Sequence, residues 1–129
     1  SMEPDSVDGA PTLWHYFVER GRYTGELDAL LRPIVEGRLE PYARGRYGAD
    51  TVVCHCFVRR YLPEERRGLG AHFDHHAYVT AVVGLNPEDF EGGLFVQGEA
   101  RADRAFVELQ KGDVLFHQYD LHHGVEVTA

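Results

Sequence analysis

The sequence predicts a mainly β fold of sandwich or barrel type, carrying helices at its N-terminal end. Short β-branched and aromatic runs begin near Asp50, turn signals rich in Gly, Pro, Asn and Asp separate them, and the one helical periodicity lies ahead of them. At 129 residues and 43% hydrophobic content the chain has room for one compact domain. The expected organisation is a flexible segment over 1–11 and a domain over 12–129, with a helical layer at about 24–47 and a β core at about 50–127.

Taken in order, the Pro/Asp/Gly-rich stretch up to Pro11 reads as a loose lead-in. Residues 13–18 are apolar and suit either a strand or a helical turn. Leu27, Leu30, Leu31, Ile34, Val35 and Leu39 share one helical face, with Thr24 placed to cap and Glu26 and Asp28 in the first turn. Pro33 interrupts this pattern, and an interior proline costs about 3 kcal/mol unless the helix bends, so a kink or two short helices is expected. Residues 51–61 read as a strand, and Pro63 and Gly68 to Gly70 as a loop. Strands are then expected over 71–74, 78–85, 93–97, 105–109, 113–117 and 123–127. Asn86-Pro87, Gly92-Gly93, Gly98 and Lys111-Gly112-Asp113 punctuate them.

Charge narrows the function classes. A formal net charge of -8, from 13 basic and 21 acidic residues, opposes the phosphate-neutralising surface that nucleic-acid binding requires. Arg59, Arg60, Arg66 and Arg67 cluster, but Glu64 and Glu65 sit among them, so the group reads as a mixed solvated loop. No apolar run is long enough to span a membrane, and no signal-peptide pattern opens the chain. Cys54 and Cys56, two apart on an expected strand, suit buried thiols better than a mutual disulfide, which points to a soluble intracellular protein, cytoplasmic or nuclear.

Seven of the eight histidines fall in the β half: His55, His72, His75, His76, His117, His122 and His123. Strand residues two apart share a face, so His72 and Asp74 project together as half of a metal site while Phe73 points away. A third ligand must come from another strand. His75 and His76 suit an entrance or surface turn, His122 should face away from its neighbour, and His117 suits a hydrogen-bonded interior position.

The combination of His72-Phe73-Asp74, a distal His123 51 residues after His72 in a Leu-His-His-Gly-Val-Glu-Val setting, the Gly92-Gly93-Leu94 turn and the Lys111-Gly112-Asp113 turn resembles a known family. These residues are similar to the motif of the Fe(II)/2-oxoglutarate-dependent dioxygenases, in particular the prolyl-4-hydroxylase-like branch, and the likeness covers about residues 50–127. It implies a double-stranded β-helix, or jelly roll, with His72, Asp74 and His123 as the catalytic iron ligands and Tyr61 binding 2-oxoglutarate. It also implies hydroxylation of a protein side chain such as proline, coupled to oxidative decarboxylation of 2-oxoglutarate to succinate by O2, with ascorbate as an optional reductant. A protein or peptide substrate is implied first and a small molecule second, with neither nucleic acid nor membrane as partner.

Two His and one carboxylate on one face of an octahedral Fe(II) leave three adjacent positions open. Zinc accepts the same ligands, and a cupin-like zinc hydrolase would need a base such as Glu126. The family's Arg or Lys anchor for the far carboxylate of 2-oxoglutarate lies about ten residues beyond the distal His, and the sequence ends six residues after His123. Truncation that removes the last strand of the jelly roll is the expected reason, with a natural fragment or a replacement anchor such as Arg59 or Lys111 as the alternatives, and the fragment is expected to bind metal but turn over poorly, if at all. The alternative from another class is a non-catalytic jelly-roll binding module that keeps the metal ligands and lacks the cosubstrate anchor.

Overall fold

The structure, a computed structural model, describes residues 2–129 and is mainly β, with several antiparallel sheets and one helical stretch. Its strands are β1 (Met2–Pro4), β2 (Pro11–Glu19), β3 (Arg22–Tyr23), β4 (Cys56–Arg60), β5 (Gly68–His72), β6 (Val79–Val83), β7 (Gly92–Val96), β8 (Ala105–Phe106), β9 (Val114–Gln118) and β10 (His123–Val127). Helices α1 (Asp28–Ile34) and α2 (Glu40–Tyr47) flank a π-helical turn, Val35–Leu39. The described residues divide into two compact units, Leu13–Arg60 and Tyr61–Ala129, the second also taking in Met2–Thr12. Among them no helix is long and apolar enough to cross a membrane.

In the first unit β2 pairs antiparallel with β3 and with β4, which settles residues 13–18 as strand. Its in-out alternation breaks where the register with β4 shifts between Tyr16 and Val18, so that Phe17 and Val18 are both buried. These two and Val35 form the core, packed by Leu27, Leu31, Leu39, Val53, Cys56 and Val58. Leu30 and Ile34, expected on the same helical face, are instead 68% and 45% exposed, because the contacting stripe follows the i, i+4 steps from Leu27.

The helix begins after Leu27 without a side-chain cap, so Thr24 does not cap it, and it runs through Pro33 without a break. The expected interruption appears instead as the π turn, closed by the Glu40 amide bonding to the Val35 carbonyl. Pro41, at the start of α2, has no N–H for the Gly37 carbonyl, and its ring crowds that carbonyl, which favours the wider turn ahead of it. The strand expected from residue 51 starts only at Cys56. Cys54 is exposed outside it and only Cys56 is partly buried, so the two do not form a buried pair.

The second unit contains two sheets, one in the order β5-β10-β7-β8 and one pairing β6 with β9. Its buried apolar residues include Leu69, Leu94 and Phe95, and His117 and His123 are buried to a similar degree. The loop expected at Gly68 to Gly70 is part of β5. Gly68 passes close to the Val125 carbonyl, where a Cβ would not fit, and the strand ends at His72 rather than Asp74.

Gly124 is held to glycine in the same way, since a Cβ there would lie 2.5 Å from both the Leu69 carbonyl and the Phe95 ring. Residues 105–109 yield only the two-residue β8, whereas β10 has the bounds expected. The stretch read as a loose lead-in is packed in part: Asp5 is 3% exposed and Thr12 fully buried. Arg66 is not a solvated loop cation; it donates to Asp8 at 2.6 Å and to Thr12 at 2.6 Å and lies 3.7 Å from Asp5.

Candidate metal centre

His72 and His123 are directly opposed on β5 and β10, so their side chains leave the same face of the sheet, with ring centroids 4.5 Å apart. Asp74, two residues beyond β5, turns back beneath them. Its Oδ1 lies 3.3 Å from His72 Nε2 and 3.5 Å from His123 Nε2. One ligating atom from each of the three falls within 4.8 Å of the other two. The structure therefore brings together the three residues that the sequence nominates as ligands, although Asp74 reaches the cluster from a loop rather than from the strand.

What surrounds these groups fixes how they point. His72 Nδ1 lies 2.8 Å from the Gly70 carbonyl and His123 Nδ1 2.8 Å from the Leu121 carbonyl. Carbonyls only accept, so each Nδ1 carries hydrogen and each Nε2 is turned towards Asp74, as a lone pair when the ring is neutral and as a donor when it is protonated. Thr80, on β6, donates its hydroxyl to Asp74 Oδ2 at 2.7 Å, leaving Oδ1 to face the imidazoles.

His117, on β9 opposite Thr80, is 5% exposed, with its ring centroid 4.3 Å from that of His123 and its Nε2 3.5 Å from Asp74 Oδ2. The sequence reading of an interior histidine holds, and its Nδ1 faces the Gln118 carbonyl at 2.9 Å, but its other nitrogen points into the cluster. Nothing in the sequence singles out Thr80. An alternating strand carries many threonines, and only the fold reveals which one faces a carboxylate.

Electrostatics favour a cation here. Burial pushes the Asp74 carboxyl up, but hydrogen bonds from His72 and Thr80 and the nearby His123 and His117 rings prevail and hold it well below the ordinary carboxylate range. Burial pulls His123 below the ordinary histidine value, and the His117 and His72 rings reinforce this against the Leu121 carbonyl and Asp74. An anionic carboxylate faced by imidazole nitrogens is a place where protons and a metal ion compete.

Ligands about 2.1 Å from an ion stand roughly 3.0 Å apart at adjacent octahedral positions and about 3.4 Å apart in a tetrahedron. The observed 3.3 and 3.5 Å from Asp74 Oδ1 to the two histidines match two such edges to within a few tenths of an ångström, and all three ligating atoms lie within 4.8 Å of one another. The donor set of imidazole nitrogens and one carboxylate suits Fe(II) and also Zn(II).

The remaining candidates fall elsewhere. His75, His76 and His55 are exposed, and His122 stacks on Phe73 with centroids 4.8 Å apart. Glu126, the nominated base for zinc hydrolysis, is bound to Arg104 at 2.9 Å. Tyr61 lines a cavity of about 70 Å³ with Leu62, Pro63, Arg67, Val127 and Ala129, towards the Val127 end of β10, whereas the cluster lies at the His123 end. Lys111 is engaged by Glu88 at 3.4 Å on the surface, and Arg59 stacks on Trp14 within the first unit.

No family model matches the chain, and neither a curated protein nor a solved structure shows a significant match.

Proposed function

We propose that this chain is an Fe(II)- and 2-oxoglutarate-dependent oxygenase that hydroxylates a protein side chain, with peptidyl proline the first substrate to test. The observation that carries this reading is the convergence of His72 Nε2, His123 Nε2 and Asp74 Oδ1, each imidazole oriented by a backbone carbonyl. Support also comes from the order in which the chain visits its two sheets. Strands β5, β7, β8 and β10 lie in one and β6 and β9 in the other, an alternation compatible with a jelly roll.

In this reading His72, Asp74 and His123 hold the iron, which when bound supplies oxidative chemistry from O2 coupled to decarboxylation of 2-oxoglutarate. Asp74 contributes the single negative charge, and Thr80 restrains its second oxygen so that Oδ1 stays turned to the ion. The backbone carbonyls of Gly70 and Leu121 keep both rings in the Nε2-binding tautomer. Tyr61, which lines the cavity towards the Val127 end of β10, is not among the residues beside these ligands. Phe73, Tyr78 and Tyr119, 42%, 55% and 50% exposed, lie beside ligand-bearing segments and offer aromatic faces on which an apolar peptide side chain can rest.

The test is anaerobic loading with Fe(II), followed by thermal unfolding with and without 2-oxoglutarate, then admission of O2 and assay of succinate. The reading predicts that 2-oxoglutarate raises the unfolding temperature only when Fe(II) is present, and that succinate appears and is lost in Asp74→Ala. Iron binding without any response to 2-oxoglutarate would contradict it and favour the non-catalytic binding module.

A further inference from the structure

We propose that His117 is a fourth protein ligand of the same centre, making it a site of three histidines and one aspartate. The proposal rests on reading His72, Asp74 and His123 as a metal centre, and it is independent of whether the bound metal performs oxygenase chemistry.

One buried nitrogen beside the centre makes no hydrogen bond. His117 is 5% exposed, and its Nε2 is buried with no hydrogen-bond partner among the described residues. A buried polar atom left in that state is unfavourable by about 1 to 3 kcal/mol and calls for an explanation. Its Nδ1 lies 2.9 Å from the Gln118 carbonyl, an acceptor, so the hydrogen of the neutral ring resides on Nδ1 and Nε2 presents a lone pair. That lone pair faces Asp74 Oδ2 at 3.5 Å, beyond the roughly 2.7 to 3.2 Å of an N–H···O bond, and Oδ2 already accepts from Thr80 at 2.7 Å. Two acceptors held face to face are repulsive unless a cation, either a proton on Nε2 or a metal ion, joins them.

The surrounding geometry supplies the location. His72 and His123 approach Oδ1 of Asp74, and His117 approaches Oδ2 of the same carboxylate. His123 is central, its ring centroid 4.5 Å from that of His72 and 4.3 Å from that of His117. All three rings have Nδ1 committed to a backbone carbonyl and Nε2 turned to Asp74. The ligating atoms of His72, Asp74 and His123 lie within 4.8 Å of one another, and His117, from β9, stands beside that group at the second oxygen of the same carboxylate. A six-coordinate ion held in this way retains two open positions rather than three. Two positions suffice for one bidentate oxoacid.

The experiment counts nitrogens. One equivalent of Cu(II), which binds such sites more tightly than Fe(II), is added to the wild-type chain and to His117→Gln, His117→Ala and His72→Ala. Electron paramagnetic resonance then resolves the hyperfine coupling from directly bound imidazole nitrogen. Three coupled nitrogens are expected in the wild type and two in the His117 variants, with metal affinity at least tenfold weaker. Loss of a residue that merely orients a ligand can also weaken affinity by about 10- to 100-fold, but it leaves the nitrogen count unchanged. A wild-type count of two, lowered by His72→Ala, overturns the proposal while the centre itself stands, whatever the His117 variants do. A count of three that persists in both His117 variants also overturns it. A spectrum unaffected by His72→Ala places the copper elsewhere, and then the metal-centre reading fails and takes this proposal with it.

Discussion

Replacing Thr80 with Val isolates the restraint on the aspartate. The substitution keeps the β-branched shape that suits β6 and removes only the hydroxyl that donates to Asp74 Oδ2 at 2.7 Å. A hydrogen bond to a charged group contributes about 1.5 to 3 kcal/mol. The bond is present in the metal-free fold, so its loss should appear first as lower folding stability of the apoprotein by roughly that amount, read from urea midpoints. Asp74 should also rise towards the ordinary carboxylate value, since the Thr80 bond is among the causes that hold it down.

Metal affinity should fall as well, because the carboxylate is no longer fixed with Oδ1 towards the imidazoles. Removing such a supporting partner typically costs about 10- to 100-fold, or roughly 1.4 to 2.8 kcal/mol. Calorimetric titration of the apoprotein with Fe(II) under argon measures the loss, and Thr80→Ser, which restores a hydroxyl, should recover most of it. A Thr80→Val dissociation constant within twofold of wild type would refute the idea that Thr80 positions the ligand.

Three further outcomes follow from the same structure. The apoprotein should lose stability on acidification: His123 has a folded pKa below its unfolded value of about 6.5, so the unfolded chain takes up the proton first as pH falls. Asp74, also depressed, extends the loss below about pH 4, and an apoprotein melting temperature flat from pH 7 to pH 3 would contradict both assignments. Burial and, to a lesser extent, Glu40 push the Cys56 thiol up to about 11, whereas Cys54 is exposed. Iodoacetamide at pH 8 should therefore label one thiol quickly and the second only on unfolding, and equal rates, followed by mass spectrometry, would be the contrary result. Gly124→Ala should destabilise the fold by about 1 to 3 kcal/mol through overpacking against the Leu69 carbonyl and Phe95, and an unchanged melting temperature would show that β5, β7 and β10 are less close than described.

Much of the site was legible because its chemistry is local in sequence. His72 and Asp74 sit two apart, and β10 has the bounds its alternation implied, which places His123 at the strand's first position. The rest depended on partners distant along the chain. Asp5 and Asp8 look like solvated acids until Arg66, some sixty residues later, is set against them. Leu30 and Ile34 fit the helical repeat as well as Leu31 and Val35 do, and only the packing direction separates them. His117 and Thr80 are cross-strand partners whose shared direction towards Asp74 arises from the β6–β9 pairing, a relation that no periodicity within either strand encodes. Asp74 itself lies past the end of its strand, so the rule that put it beside His72 succeeded although the backbone there is a loop.

The most direct measurement of the central claim is anomalous diffraction, at the metal's absorption edge, from crystals loaded anaerobically with Fe(II). One strong peak per chain is expected, about 2.0 to 2.2 Å from His72 Nε2, His123 Nε2 and an Asp74 carboxylate oxygen. No peak between those three groups, or iron held by other side chains, would contradict that claim.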